Sequence, residues 1–378
     1  MNLAKLPEYR IRLFLSVDLV GSTAFKSKEG NSNLFWIKAF QKFYAEFPAS
    51  YSRHYSDIAN ANPEMSEAER QEKPKVWKTI GDEILFVNRV QSVTQLGAYL
   101  KAFERALVEF GSDVKAAYDL NTKGNGWVAA FPTPNRSITL STDGMDPLLG
   151  GADILTEDFE AEVDLNPQKY DFLGKGIDGG FRISRNSSVE ALTISPALAF
   201  LLCRAKRNVD TTGFDCRFVF HEPQMFKGMM NGDRYPVVSI ITSRDQIYDE
   251  LQDLEAKLLD RPREADFVSL SSYLEKYIRH HGIEKPELKL TARSADVDPP
   301  EHYQKYIREW KADQEQLQKT QELELSSATS GEDEGDRQTA PEVQKALDDV
   351  LKHFSSVRAA APSEPASGIG SEGPDKTD

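Results

Sequence analysis

Two aspartates, each beside or near a glycine, carry the most legible chemistry in this 378-residue chain. Asp18 stands in Ser16-Val17-Asp18-Leu19-Val20-Gly21-Ser22-Thr23, and Asp82 in Trp77-Lys78-Thr79-Ile80-Gly81-Asp82-Glu83-Ile84-Leu85-Phe86. In each segment a strand-like apolar run delivers one carboxylate to a place where the backbone turns. Two carboxylates on neighbouring strands suit two divalent cations, Mg2+ or Mn2+. Such ions take hard oxygen ligands from one or two carboxylates and complete their shells with water and substrate phosphates. The backbone carbonyl of Leu19 offers a further oxygen, and the Gly21-Ser22-Thr23 turn can receive a triphosphate. A pair of ions so held activates an attacking oxygen and neutralises a leaving group.

The elements that must position these groups are visible in the hydrophobic pattern. Ile11, Leu13, Leu15 and Val17 recur with period two, which predicts a strand over Arg10–Leu19. Val76–Ile80 and Glu83–Val87 flank Gly81-Asp82 as the arms of a hairpin. Ser22 or Thr23 can cap a helix carrying Phe25, Leu34, Phe35, Ile37, Phe40 and Phe43. Tyr51–Lys75, polar and containing Pro63 and Pro74, reads as a surface excursion. Val93–Phe110 predicts an amphipathic helix with Leu96, Leu100, Phe103 and Leu107 on one face.

Val114–Leu120 and Trp127–Phe131 read as strands, the second ended by Pro132 and Pro134. Gly174–Arg185 starts glycine-rich and turns helical, Ser195–Cys203 is a short helix, and Phe214–Phe220 and Tyr235–Ile241 complete the strands. The alternation gives an α+β class with antiparallel hairpins. A doubly wound sheet is disfavoured because no Gly-x-Gly-x-x-Gly follows the first strand.

A net charge of -14 argues against nucleic acid as a partner, since phosphate binding favours a basic face. Cys203 and Cys216 are too few for a disulfide framework and read as buried residues of a reducing compartment. Met1–Arg10 has no apolar core of a leader, and the run near Ala197–Cys203 is far too short to span a bilayer. A cytoplasmic location without membrane contact is expected. After Ser243 two charged helices are predicted, one with Ile247, Leu251, Leu254 and Leu258, the other over Phe267–His281. From about Lys311 the chain is acidic and polar, with a helical island at Val343–Phe354 and a disordered end at Ser355–Asp378. The domains expected are 1–243, a helical extension over 244–310, and a largely disordered tail over 311–378.

Asp18-Leu19-Val20-Gly21-Ser22-Thr23 and Lys78-Thr79-Ile80-Gly81-Asp82 resemble the two metal-aspartate motifs of class III nucleotidyl cyclases. Tyr170-Asp171-Phe172-Leu173-Gly174-Lys175-Gly176-Ile177-Asp178-Gly179-Gly180-Phe181-Arg182 resembles that family's Tyr-Asp-x-Trp-Gly-x-x-Val-Asn-x-Ala-x-Arg segment. Phe226-Lys227-Gly228 resembles its terminal Lys-Gly turn. Order and approximate spacing agree from about Arg10 to Ile241. The resemblance implies a ferredoxin-like palm and a head-to-tail homodimer with composite sites. One chain would supply Asp18, Leu19 and Asp82 to the metals. The other would supply Lys78 and Asp171 to the base, and Arg182 and Lys227 to the phosphates, with Ser22 and Thr23 at the triphosphate.

The chain also departs from the pattern. Asp178 takes the place of the family's ribose-orienting asparagine, and an ionised carboxylate only accepts, so either sugar positioning differs or Asp178 is paired with a cation such as Arg182 or Arg185. Gly179-Gly180 would let backbone approach a ligand or a partner strand. Lys123-Gly124-Asn125-Gly126-Trp127-Val128-Ala129-Ala130-Phe131-Pro132 replaces the Gly-Ile strand. That segment, with Gly180-Phe181-Arg182, resembles the pyrimidine cyclases of the Pycsar antiphage systems. This implies conversion of UTP to cyclic UMP, or of CTP to cyclic CMP, the product being read by a separate effector. Trp77, Tyr170 and Phe172 would tighten the pocket for a small base or simply pack the core. Lys78 with Asp171 resembles the adenine-reading pair of adenylate cyclases. An adenylate or guanylate cyclase and a non-catalytic nucleotide sensor are therefore the rival readings.

Overall fold

β1 (Arg10–Val20) is the strand around which the protein is organised: it pairs antiparallel along its length with both neighbours. The computed structural model describes residues 5–27, 33–139 and 155–329. The other strands there are β2 (Val76–Ile80), β3 (Glu83–Val90), β4 (Asn121–Phe131), β5 (Arg136–Thr139), β6 (Tyr170–Leu173), β7 (Ala191–Ile194), β8 (Phe218–Gln224) and β9 (Tyr235–Ile241). The helices are α1 (Ser22–Ser27), α2 (Asn33–Ala61), α3 (Glu67–Gln71), α4 (Val93–Tyr118), α5 (Glu157–Leu165), α6 (Lys175–Ile183), α7 (Pro196–Arg207), α8 (Val209–Thr212), α9 (Gln246–Leu258), α10 (Phe267–His280) and α11 (Glu301–Thr329).

Seven strands form one sheet in the order β2-β3-β1-β4-β7-β9-β8. Its first four come from a β-α-β-β-α-β run, antiparallel throughout, which is the ferredoxin-like arrangement. β7 adds parallel to β4, and β9 and β8 follow antiparallel. The protein is thus an α+β palm flanked by helices.

Alternation along β1 divides the core in two. Ile11, Leu13, Leu15, Val17 and Leu19 pack with α2, α4 and α7 into the larger cluster. Phe14, on the other face, joins Trp77, Leu85, Trp127, Phe131, Phe172 and Ile177 in a second. Phe14 and Trp127 stack with ring centroids 5.3 Å apart. This lower face also carries Arg10, Arg12, Ser16 and Asp18, and it is the face that matters below.

Three expectations are corrected. Tyr51–Lys75 is not an excursion: α2 runs on to Ala61, and Phe43, Phe47, Tyr51, Tyr55 and Ala59 are all buried along it. The four-residue spacing of those side chains is a helical stripe among charged neighbours. Glu69 of α3 is fully buried and accepts bonds from the Ser66 N–H at 2.8 Å and the Ser92 hydroxyl at 2.6 Å. Val114–Leu120 is not a strand but the last turns of α4, closed by Asp119 in the left-handed conformation at φ 56°. The strand expected over Phe214–Phe220 lies later, at Phe218–Gln224.

Residues 1–315 make one compact unit and 316–378 a second, of which Gln316–Thr329 is described, as helix. The predicted island at Val343–Phe354 and the end at Ser355–Asp378 lie outside the described residues. Cys203 and Cys216 are both buried and free, as expected. No helix among the described residues is long and apolar enough to cross a membrane.

Candidate functional site

The register of three strands builds a charged row at one end of the lower face. Asp18 on β1 lies opposite Glu83 on β3 and opposite Lys123 on β4. Period two places all three side chains on the side of Phe14. Lys123 Nζ sits 3.2 Å from Asp18 Oδ2, with both side chains about a third exposed. Glu83 accepts a hydrogen bond from the Ser16 hydroxyl one step down the strand.

Asp82 reaches the same place from the β2–β3 turn, where Gly81 takes a φ of 61° that favours glycine. The Asp82 carbonyl accepts from the Leu19 N–H at 3.2 Å, and its carboxylate accepts from the Ser22 hydroxyl. Ser22 therefore spends its hydroxyl on Asp82, while Thr23 faces solvent on α1. The Tyr44 hydroxyl donates to the Gly81 carbonyl and ties the turn to α2.

Electrostatics follow from this crowding. Partial burial pushes the Asp18 carboxyl above its ordinary range; Lys123 opposes that, and the Asp82 charge adds to it. Burial likewise raises Glu83, against the Ser16 bond and with help from the Asp18 and Asp82 charges. Two carboxylates and the Leu19 carbonyl are hard oxygen donors at a half-open edge. Among the described residues no group of three or more His, Cys, Asp or Glu side chains converges on one point. The donor set thus fits Mg2+ or Mn2+ drawing its other ligands from water and substrate, not a closed protein cage. Any cation at Asp18 must displace or share the carboxylate with Lys123.

Two further pairs lie elsewhere on the chain. Lys78 Nζ is 3.0 Å from Asp171 Oδ1, a half-open pair in which the ammonium rests 3.9 Å from the Trp77 ring centre. The Phe172 N–H orients Asp171 at 2.9 Å. Arg182 near the end of α6 donates to the Lys227 carbonyl. Gly228 follows at φ 74°, a left-handed conformation that favours glycine, and a Cβ there would lie 3.0 Å from Arg182 Nη1. A cavity of about 350 Å³ adjoins them, lined by Lys175, Asp178, Arg182, Met229 and His281 among others. Its floor includes Ile11, seven residues and about 23 Å of strand from Asp18.

Other expectations change here. Asp178 is exposed and makes no ion pair with Arg182 or Arg185 among the described residues. Gly180 does not open space for a ligand: the Trp127 indole occupies it, 2.1 Å from where a Cβ would stand. Trp77 and Phe172 are core residues, 2% and 3% exposed. Lys123 and Glu83, central to the row, were not among the candidates. The sequence signal for Lys123 is the period-two pattern of β4 carried back from Trp127, blurred by Gly124 and Gly126, whereas Glu83 shows only as the neighbour of Asp82 that opens β3.

No family model and no curated protein matches the chain. Among solved structures it is similar to the adenylyl cyclase CyaB from P. aeruginosa, at 12% identity over 63% of this chain and 96% of that one, with a TM-score of 0.38. It is similar to the guanylate cyclase domain of RhGC from Catenaria anguillulae in complex with GTP, at 12% identity over 63% and 100%, TM-score 0.40. The guanylyl cyclase Cya2 gives 14% identity over 64% and 97%, TM-score 0.35. With TM-scores below 0.5, none of these likenesses bears on what the chain does.

Proposed function

We propose that the protein is a metal-dependent nucleotidyl cyclase that works as a head-to-tail homodimer, converting UTP to 3′,5′-cyclic UMP and pyrophosphate, with CTP second. One observation carries the reading. Carboxylates that suit a metal and cations that suit phosphates stand in separate clusters. No hydrogen bond or ion pair among the described residues joins Asp18 or Asp82 to Asp178, Arg182 or Lys227. A second copy brings the missing half to each.

In that composite site the ribose 3′-oxygen bonds to the α-phosphorus in line, the bond to pyrophosphate breaks, and the hydroxyl proton passes to solvent. Mg2+ or Mn2+, when bound at Asp18, Asp82 and the Leu19 carbonyl, supplies Lewis acidity to the hydroxyl and charge to the triphosphate. The Arg182 fork meets the equatorial oxygens where charge grows. Lys227 acts as a point charge on the outer phosphates, and Ser22 and Thr23 stand at the triphosphate end. Asp178 accepts from a ribose hydroxyl. Lys78 and Asp171 face the base.

Residues 1–243 carry this chemistry, 244–310 form the extension and 311–378 the appendage. The pyrimidine preference and a second-messenger role in antiviral defence, with a separate effector in the cytoplasm, rest on the resemblance of Lys123–Pro132 and Gly180–Arg182. One observation favours adenylate or guanylate cyclase instead: the half-open Lys78–Asp171 pair is a donor and an acceptor ready for a base edge.

The test is incubation with each of the four nucleoside triphosphates and Mn2+, followed by mass identification of products. Cyclic UMP is the expected product, cyclic AMP or GMP selects the second reading, and no cyclic product from any of them ends both. Mixing Asp82→Ala with Arg182→Ala chains restores activity that neither has alone; no restoration rules out the composite site.

A further inference from the structure

α9 presents its apolar side to solvent. Ile247, Leu251, Leu254 and Leu258 are 70, 57, 55 and 87% exposed, at spacings of four, three and four. That is the seam spacing of a coiled coil, with Ile247 and Leu254 at d and Leu251 and Leu258 at a. The opposite side of the helix fixes it to the body. Asp249 pairs with Arg263 at 2.7 Å and Arg217 at 3.3 Å, and Asp253 with Arg263 at 3.1 Å. The helix is thus held by its outer positions with its seam outward.

The flanking charges say what covers it. Glu250 and Lys257 occupy the g positions, and Tyr248 and Glu255 the e positions. A parallel copy would set Glu250 against the partner's Glu255, like charges. An antiparallel copy sets Glu250 against the partner's Lys257, twice over, and Tyr248 against the partner's Glu255. Its core layers are then Ile247 on Leu258 and Leu251 on Leu254, each repeated by the two-fold axis. Lys257 makes no ion pair within the chain among the described residues. We infer that α9 is a self-association surface that takes α9 of a second copy in antiparallel, isologous fashion. This contact stands independently of the cyclase reading. A seam of fewer than two heptads is weak, so the pairing depends on protein concentration.

The experiment uses the full chain under mild oxidation, with Leu251→Cys and Leu254→Cys prepared separately. A mixture of the two forms a 251–254 disulfide between copies, while either alone crosslinks much more slowly. Lys257→Glu in both partners slows the mixed crosslink about fivefold, and Glu250→Lys with Lys257→Glu restores it. Equal crosslinking of Leu251→Cys with itself shows a parallel pair and overturns the inference. No crosslink at any concentration does so too, whether another protein, a lipid surface or nothing covers the stripe.

Discussion

The two ends of β1 put charge on the same face of the same sheet and treat it in opposite ways. At one end Arg10 and Arg12 are almost fully buried. Arg10 pairs with Glu157 and, at 2.8 Å, with Asp164. Arg12 pairs with Glu160 at 2.7 Å and Asp164 at 2.6 Å, donates to the Ser137 hydroxyl at 2.8 Å, and lies 4.6 Å from the Phe131 ring centre. At the other end Asp18 has one cationic partner and stays about a third exposed. A buried charge is tolerable only when its hydrogen-bonding capacity is filled, and α5, with the Glu8 carbonyl and the Ser137 hydroxyl, fills it for the arginines. The carboxylate end lacks such a cover. The arginine end is closed apart from Glu160 Oε1, which has no hydrogen-bond partner among the described residues; the open end is the one proposed for a ligand.

Substitutions at the two ends should therefore fail differently. Asp18→Ala or Asp82→Ala is expected to lower cyclic-nucleotide formation by about 10³-fold or more while the far-ultraviolet spectrum and cooperative melting persist. A folded variant with full activity breaks the assignment. Arg12→Ala leaves Glu160 buried without its partner and should cost about 3–5 kcal/mol of stability, read by denaturant unfolding. A loss below 1 kcal/mol would show that the closed end is no more structural than the open one.

Smaller effects sharpen the contrast. Lys123→Met removes the cation competing for Asp18 and should tighten Mn2+ binding by about three- to tenfold, followed by titration with the ion's paramagnetic signal in the absence of nucleotide. Weaker binding would mean that Lys123 assists the metal rather than displacing it. The pH dependence has a definite sign. Asp18 and Glu83 are raised in the folded state, so the native protein binds protons more readily than the unfolded chain. Their cost is absent below the ordinary carboxylate range and fully present once pH exceeds the raised folded values. In chelator, Asp18→Asn should melt higher than wild type at pH 7, and the gap should shrink as pH falls through that range. A gap that is flat with pH sinks this account.

Much of the sheet was readable because period two survives on β1, because β3 and β9 carry short apolar runs, and because Gly81-Asp82 forces a hairpin. The run from Tyr51 to Ala59 misled because its polar residues outnumber the buried ones, although those keep a four-residue spacing. Val114–Leu120 is a short apolar stretch, where periodicity does not separate a helix end from a strand. Within the candidate site, Lys78 lies against Asp171 and Arg182 against the Lys227 backbone carbonyl, while the bond from Ser22 to Asp82 was not foreseen. Lys123 and Glu83 lie inside the motif segments without standing out there, because the cross-strand register sets them beside Asp18. Of the two roles open to Gly180, the structure shows close approach to a neighbouring strand, through Trp127 of β4, and not to a ligand.

The two buried thiols have a practical consequence. Burial pushes Cys203 up to about 12 and Cys216 well above its ordinary value, so neither presents a thiolate to a labelling reagent in the folded state. Cys203 sits on α7 and Cys216 just before β8. The rate at which they react is then a clock for the opening of that part of the molecule. The chain carries its own unfolding reporter, one that stays silent while an introduced surface cysteine is being modified.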